Sequence, residues 1–292
     1  MLRFTLRQLA VLLATVLITG WLIHAVLSAA AGAHPIPLSF VSWLGHILFG
    51  DFGPSATTGR SVGGLIAARL GVTIPLALIS MLLAGLIGVG IGALAALRPD
   101  GFGDRALIAL ASVGAAAPSF WLGMVLVLAF AGGLHWLPPG GFVPWQQGVG
   151  GALLSLLLPA LALALPVGCG LAVIVRDALV AARQSAYVLA ARASGMTEVE
   201  AFRRDGLPAA GLSVLKPAVP QAVAIVLGTV IVENVFYLPG LGRLILDAVT
   251  ARDLTLVGGA LVVLVLLASG TTFLLQVGFA WADPRRRQRA AA

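Results

Sequence analysis

Six long apolar runs constrain this chain more than any other feature of its sequence. Each run is long enough to cross about 30 Å of hydrocarbon as an α-helix, which rises about 1.5 Å per residue. The runs are continuously apolar, whereas the strands of a membrane β-barrel alternate between polar and apolar residues. We therefore predict an all-α membrane protein with six transmembrane helices, over residues 9–31, 72–97, 106–132, 151–175, 217–236 and 256–282.

The overall composition agrees with a bilayer as the main solvent. Of the 292 residues, 60% are hydrophobic and 10% are charged, whereas soluble domains carry about 25% charged residues. The net charge of +7 does not indicate a nucleic-acid partner, because the basic residues lie in short connections and tails. A single cysteine, Cys169, excludes an internal disulfide framework, and we expect it to be a small packing residue.

The first apolar run follows Arg3 and Arg7 and resembles the hydrophobic part of a signal peptide. It is longer than the roughly 7–15 apolar residues of such a segment. We therefore expect an uncleaved first transmembrane helix. Alanine-rich triplets near residues 29–31 leave cleavage as the alternative.

Most of the 18 basic residues fall in alternate connections between the runs. The positive-inside rule places such connections in the cytoplasm. In chain order, the prediction is a cytoplasmic N-terminus (1–8), a first transmembrane helix (9–31), a periplasmic segment (32–71), a core of five transmembrane helices (72–282) with a cytoplasmic loop (176–216), and a basic cytoplasmic tail (283–292).

Glycines and prolines inside the runs indicate how the helices pack. The second run contains closely spaced glycines, which let another helix approach its backbone. These are Gly88 and Gly92, with Gly85 and Gly90 nearby. Prolines interrupt the hydrogen-bond ladder of a helix, so neighbouring helices must compensate. We expect such interruptions at Pro118, Pro159 and Pro166.

Few polar groups inside the runs could support chemistry. Glu233, followed by Asn234, lies near the outer end of the fifth run, and we interpret it as an anchor or gate element, with a proton or substrate site as the alternative. The sequence has no His-Glu-x-x-His pattern and no P-loop. Ser213 and Lys216 match a Ser/Lys nucleophile spacing, which we attribute to chance. We expect no catalytic residue, metal ion or cofactor in this chain.

The charged insert at 187–208 contrasts with the apolar runs on either side. Its first part favours a helix, which Gly195 can end by adopting a positive φ. Thr197 and Glu200 then form a capping box for a second short helix, and we expect Pro208 to end that helix. Such a pair of helices is typical of a docking surface for a soluble protein. An amphipathic hairpin on the membrane surface is the alternative.

The insert resembles the EAA loop of ABC-importer permeases, in which Glu-Ala-Ala precedes a glycine and, further on, Leu-Pro. Ala190, Ala191, Gly195, Leu207 and Pro208 occupy the corresponding positions. Leu189 replaces the glutamate, and Asp205 replaces an apolar residue. The start of the segment is more similar to the peptide/nickel branch of the family, which it matches at Tyr187, Ala191, Arg192, Ala193 and Gly195.

Three further segments resemble the same branch. They are the outer segment with Gly50-Asp51-Phe52-Gly53, Gly59-Arg60-Ser61-Val62 and Arg69-Leu70, the motif at 233–242, and Asp283-Pro284-Arg285 near the C-terminus. Because these matches follow in order along nearly the whole chain, it is identified as a member of the B-type permeases of dipeptide, oligopeptide and nickel importers. The connection after the first run, at 31–43, is shorter than in many members.

The resemblance implies a type I ABC importer permease of the bacterial inner membrane, with both termini in the cytoplasm. Expected partners are a homologous second permease, two ABC ATPase subunits that bind ATP and Mg²⁺, a periplasmic or lipid-anchored substrate-binding protein, and membrane lipid. The chain would form half of a pathway for dipeptides or oligopeptides, and nickel or another small solute is the alternative cargo. The chain itself would not be an enzyme.

The resemblance also implies two groups of site residues. The ATPase-coupling loop would use Tyr187, Ala190, Ala191, Arg192, Gly195, Thr197, Glu200, Leu207 and Pro208. An outer gate or binding-protein contact would use Glu233, Asn234, Pro239, Gly240 and Gly242. A different class, the ion-coupled secondary carriers, would need several coupling carboxylates inside the runs.

Overall fold

The computed structural model describes residues 2–30 and 39–282, and these residues are almost entirely helical. An isolated antiparallel bridge joins Pro54 and Ser61. Short π-helical segments follow two of the helices, at Val127–Gly133 and Phe202–Gly206. The α-helices of the described ranges are α1 (Leu2–Ala30), α2 (Phe40–Leu48), α3 (Val62–Ala96), α4 (Phe102–Ala116), α5 (Ser119–Leu126), α6 (Val149–Arg183), α7 (Ala186–Ala193), α8 (Glu198–Ala201), α9 (Leu207–Val235), α10 (Leu241–Thr250) and α11 (Leu254–Ala282).

Among the described residues, five helices are candidate membrane spans, and a bent pair of helices makes a sixth. α1, α3, α6, α9 and α11 are each long and apolar enough to span a membrane, whereas α4 and α5 meet at an angle of 103°. The two ends of this bent pair lie at opposite ends of the bundle. Asp104 in α4 contacts Arg176 near the end of α6, and Gly141 beyond α5 donates to the carbonyl of Phe236 beyond α9. The prediction of a helical six-span bundle is confirmed.

The prolines behave differently from one another. Pro118 lies at the break between α4 and α5, as expected. Pro159 and Pro166 each remove one amide donor, but α6 continues through both. The prediction that Pro208 ends a short helix is wrong, because Pro208 lies in the first turn of α9. The wider π-helical turn before it accommodates the proline, as such local adjustments do in membrane helices.

Two spans begin ten residues earlier than predicted. α3 begins at Val62 rather than at residue 72, and the hydroxyl of Ser61 caps its first turn by accepting from the amide of Gly64. α9 begins at Leu207 rather than at residue 217 and contains Pro217 and Pro220. Residues 31–38 and the basic tail at 283–292, with its Asp-Pro-Arg motif, lie outside the described residues.

α10 was not predicted, although its sequence carries a helical signal. Leu241, Leu244, Ile245 and Ala248 recur at helical spacing and are all buried. They join a cluster with Val62 of α3 and with the start of α11. The helix is too short to span a bilayer, so the search for long apolar runs passes over it.

The packing of α3 against α6 forms the centre of the bundle. A Cβ atom on Gly88 would lie 2.6 Å from Cβ of Leu171, and one on Gly92 would lie 2.6 Å from the carbonyl oxygen of Ala172. Gly168 in α6 also approaches α3 closely, since a Cβ on it would lie 2.8 Å from Cβ of Ile87 and 3.0 Å from the carbonyl oxygen of Ala84. The predicted close approach is therefore confirmed for this pair. Gly85 and Gly90 do not take part, because a Cβ on either meets no atom within 4 Å.

The free thiol of Cys169 fills a small gap between α6 and α4. It is buried with Ala111 and Ala172 in an apolar cluster. A Cβ on Gly114 would lie 2.6 Å from its sulfur. Cys169 is a packing residue, as predicted.

We expect Gly92→Ala to leave the bundle less stable than Gly90→Ala does. The added methyl at residue 92 meets backbone that cannot rotate away, and such overpacking costs about 1–3 kcal/mol. Both variants gain the same helix propensity, so the difference between them isolates the contact. Denaturant titration of the purified protein in detergent micelles measures it. Equal stabilities would show that the α3–α6 contact is not close-packed.

Candidate functional site

A hairpin of two short helices, α7 and α8, projects from one end of the bundle between α6 and α9. α7 ends at Ala193, and Gly195 follows with φ of +95°. The amide of Gly195 donates to the carbonyl of Arg192 (3.0 Å), and the amide of Met196 donates to the carbonyl of Ala191 (3.2 Å). These bonds satisfy the last carbonyls of α7 and turn the chain toward α8.

The predicted capping box begins α8. The hydroxyl of Thr197 accepts from the amide of Glu200 (3.3 Å), and the carboxylate of Glu200 accepts from the amide of Thr197 (3.1 Å). The same carboxylate accepts from the hydroxyl of Thr197 (2.7 Å). Both ends of the turn are therefore fixed by short-range bonds, which makes the hairpin a locally defined structure.

A small core holds the hairpin to the bundle. Val188, Ala191 and Ala201 are buried together, and Met196 packs against them. The ring of Phe202 packs against Gly206, where a Cβ atom would lie 2.6 Å from the ring. The guanidinium of Arg183 stands 5.4 Å from the centre of the same ring. Because Arg183 is the last residue of α6 and Gly206 directly precedes α9, this packing joins the hairpin to both spans.

Most of the predicted coupling residues face outward. Ala191 is buried in the hairpin core, whereas the others are exposed: Tyr187, Ala190, Arg192, Gly195, Thr197, Glu200, Leu207 and Pro208. Leu189 and Val199 are also exposed, at 52% and 64%, and so are Arg203 and Arg204. Asp205 pairs with its neighbour Arg204 at 3.3 Å. The outward face is thus a surface of apolar and charged residues, with both basic and acidic side chains.

A buried ion pair lies at the same end of the bundle and was not predicted. Arg176 in α6 donates from Nε to Asp104 (3.0 Å), and a second guanidinium nitrogen contacts the same carboxylate. Asp104 also accepts from the amide of Asp100 (2.8 Å), which has a positive φ of 63°. The pair therefore fixes the turn between α3 and α4 against α6. The sequence shows both charges near span ends but does not show that they meet.

Glu233 lies at the opposite end of the bundle and is completely buried. Its carboxylate accepts from the hydroxyl of Thr73 (2.6 Å) and from the amide of Gly242 (2.7 Å). The Thr73 hydroxyl in turn accepts from the amide of Leu241 (2.8 Å). Leu241 and Gly242 begin α10, so the carboxylate occupies the N-terminal end of that helix, where the helix dipole favours an anion.

The turn that connects α9 to α10 is pressed against this carboxylate. A Cβ on Gly240 would overlap the carboxylate of Glu233, and a Cβ on Gly242 would overlap the backbone of Val230. Asn234 donates to the carbonyl of Val230 (2.6 Å), and Asn234 and Pro239 are half-buried. The structure therefore brings the five predicted residues together. We call this unit, with Thr73, the Glu233 clamp.

A second buried carboxylate, on Asp253, pins the outer segment near α10. It accepts from the hydroxyls of Ser55 (2.5 Å) and Thr57 (3.0 Å) and from the amide of Leu256 (3.0 Å). Burial acts to raise the pKa of Asp253, but these donors outweigh it and hold the pKa below its usual range. The segment that resembles the family motif is thus tied to the start of α11.

The comparisons with known proteins agree with this architecture. The family described as "Binding-protein-dependent transport system inner membrane component" matches residues 88–288. A probable peptide ABC transporter permease of Sinorhizobium fredii is 34% identical over 253 residues, which is 87% of this chain and 81% of that protein. The oligopeptide transport system permease OppB of Escherichia coli (strain K12) is 34% identical over 254 residues, with 87% and 81% covered.

A solved structure shows the same fold. Inward-facing MetNI, a methionine ABC transporter, has a chain that superimposes with a TM-score of 0.59 at 19% identity, over 75% of this chain and 96% of that one. Together, the bundle and its projecting hairpin define a multi-pass membrane transport protein. The chain belongs to the family of binding-protein-dependent transport system inner membrane components, as a permease subunit of an ABC importer.

We expect Thr73→Val to loosen the start of α10, because it removes a donor to the Glu233 carboxylate and the acceptor of the Leu241 amide. Leaving a buried hydrogen-bonding group unsatisfied costs about 1–3 kcal/mol. The backbone amides at the start of α10 should therefore exchange on the order of tenfold faster. Hydrogen–deuterium exchange with mass spectrometry over α10 measures this.

Thr73→Ser is the matched control, because it keeps the hydroxyl and should preserve slow exchange. Equal exchange in the valine and serine variants would contradict the role given to the Thr73 hydroxyl.

Proposed function

We propose that this chain forms half of the translocation pathway for dipeptides or oligopeptides in an ATP-driven importer of the bacterial inner membrane. The hairpin of α7 and α8 carries this proposal, because it is a folded, outward-facing surface at one end of a transmembrane bundle. The peptide cargo is supported by the relatives, several of which are named as peptide or oligopeptide permeases. Both termini and the hairpin then lie in the cytoplasm, as the basic residues indicate.

The hairpin is suited to seat in a groove of an ABC ATPase. Its exposed apolar residues, Leu189 and Val199, supply contact area, and Arg203 and Arg204 supply charge. Its core and the Arg183–Phe202 contact fix it to α6 and α9. A movement of the ATPase would therefore reach two spans directly, and the Arg176–Asp104 pair would carry it to the α3–α4 turn.

The remaining partners follow from this assignment. Two ABC ATPase subunits bind ATP and Mg²⁺ and hydrolyse the nucleotide, so the permease itself is not the enzyme. A homologous second permease completes the pathway. A periplasmic or lipid-anchored binding protein delivers the substrate on the other side of the membrane.

The Glu233 clamp is the outer gate in this proposal. Glu233, Gly240 and Gly242 are buried within the chain, so they position the turn rather than contact a binding protein themselves. Contact with that protein falls to their exposed neighbours. Tyr237 is 69% exposed, and the guanidinium of Arg243 stands 5.0 Å from the centre of its ring. α10 also exposes Leu246 and Val249.

Uptake of a labelled oligopeptide tests this function, and Gly195→Val tests the role of the hairpin. A Cβ at residue 195 meets no atom within 4 Å, so only the positive φ restricts the residue. A β-branched side chain there is strained by about 1–3 kcal/mol, which should distort the elbow. We expect wild-type cells to take up the peptide, and the variant to lose most uptake while the ATPase subunits keep hydrolysing ATP.

Gly211→Val is the matched control, because it makes the same substitution at an exposed helical position of α9, outside the hairpin. A Cβ at residue 211 also meets no atom within 4 Å, and φ there is not positive. It should transport like the wild type. Unchanged uptake by Gly195→Val would refute the lever role. Uptake of nickel but not of peptide by the wild type would instead refute the proposed cargo and leave the lever role standing.

A further inference from the structure

An apolar groove runs along one side of α1. α1 and α9 both pack against α11, and the space between α1 and α9 is left open as a cavity of about 480 Å³. α11 forms the floor through residues such as Leu264 and Ala268, and α9 contributes Val223 and Leu227. Along α1 the groove extends from Gln8 to Ile23, which is about 22 Å at 1.5 Å per residue.

Apart from Gln8 at one end, the wall of this groove offers no free donor to a polar ligand. Its hydroxyls already donate to the carbonyl four residues earlier in their own helices, at distances between 2.6 and 3.1 Å. These residues are Thr15, Thr19, Ser269 and Thr272. The groove therefore presents hydrocarbon and satisfied hydroxyls, which suits an alkyl chain.

A second cavity, of about 430 Å³, continues the groove toward the hairpin end of the bundle. The two cavities share Gln8, and the second is also lined by Lys216 of α9 and Gln276 of α11. Gln8 and Gln276 each lie about 9 Å from the end of their helix, and Lys216 lies about 14 Å from the start of α9. A cation and two amides thus meet at a similar depth on three different helices.

These three polar side chains have no hydrogen bond or ion pair with any described residue. Polar groups at the edge of the hydrocarbon are costly unless they find partners. An anion that carries acceptor oxygens would satisfy the lysine and both amides at once. Basic pockets between transmembrane helices on the cytoplasmic side bind lipid headgroups in this way.

We propose that the groove between α1, α9 and α11 is a binding site for an anionic phospholipid. The phosphate lies at Lys216, between Gln8 and Gln276, and an acyl chain follows α1 toward Ile23. The length of the groove exceeds half the hydrocarbon thickness of about 30 Å, so it accommodates the chain of one leaflet. The bound lipid fills the space between α1 and the core and fixes α1 against α9.

The test compares Lys216→Gln with Arg98→Gln in the full transporter purified in mild detergent. Arg98 is exposed in the α3–α4 turn and lies outside both cavities, so the control removes the same charge. Native mass spectrometry with added phosphatidylglycerol or phosphatidylcholine measures the bound lipid. Lys216→Gln should lower phosphatidylglycerol binding about fivefold, the factor that corresponds to ~1 kcal/mol per basic side chain near an anionic surface. Arg98→Gln should not.

A photo-crosslinking residue at Thr19, inside the apolar part of the groove, identifies the occupant directly. We expect lipid adducts whose yield falls in the Lys216→Gln background. Adducts with a second protein subunit instead would overturn the proposal, since the groove would then be a subunit interface. Equal binding of phosphatidylglycerol and phosphatidylcholine, or equal loss in both charge variants, would also overturn it.

Discussion

The close approach of α3 and α6 is the contact on which the rest of this bundle depends. In a bilayer there is no strong hydrophobic force between helices, so backbone proximity and dispersion must hold them together. Gly88 and Gly92 on one helix, and Gly168 on the other, remove the side chains that would separate the two backbones. α4 then packs on α6, and α9 packs on both α3 and α6, so the remaining spans are arranged around this pair.

Buried carboxylates secure the two ends of α3. At one end Glu233 joins α3 and α9 to the start of α10 through Thr73 and Gly242. At the other end Asp104 and Arg176 join the α3–α4 turn to α6. A buried charge without partners would be strongly destabilising, so each carboxylate requires the arrangement around it. Polar contacts of buried carboxylates therefore hold the helices together at both ends of the bundle, whereas glycines let the helices pack closely in the middle.

The sequence was sufficient for the spans, the capping box and the positive φ of Gly195, because each depends on local composition or on residues close in the chain. It indicated Glu233 together with Gly240 and Gly242 but not Thr73, which is 160 residues away from Glu233 in the chain. It also missed the Arg176–Asp104 pair for this reason. Pro208 was misjudged because proline ends helices in water, whereas here a π-helical turn carries the helical path past it.

The central claim is that the hairpin of α7 and α8 moves as one body with the spans that carry it. Spin labels at Glu198→Cys in α8 and Leu154→Cys in α6 test this, because both positions are exposed and neither is among the predicted coupling residues. The buried free thiol is removed with Cys169→Ala. Double electron–electron resonance on the assembled transporter measures their distance with and without ATP. One narrow distance, unchanged by nucleotide, is predicted. A broad distribution, or a shift on ATP binding, would contradict the claim.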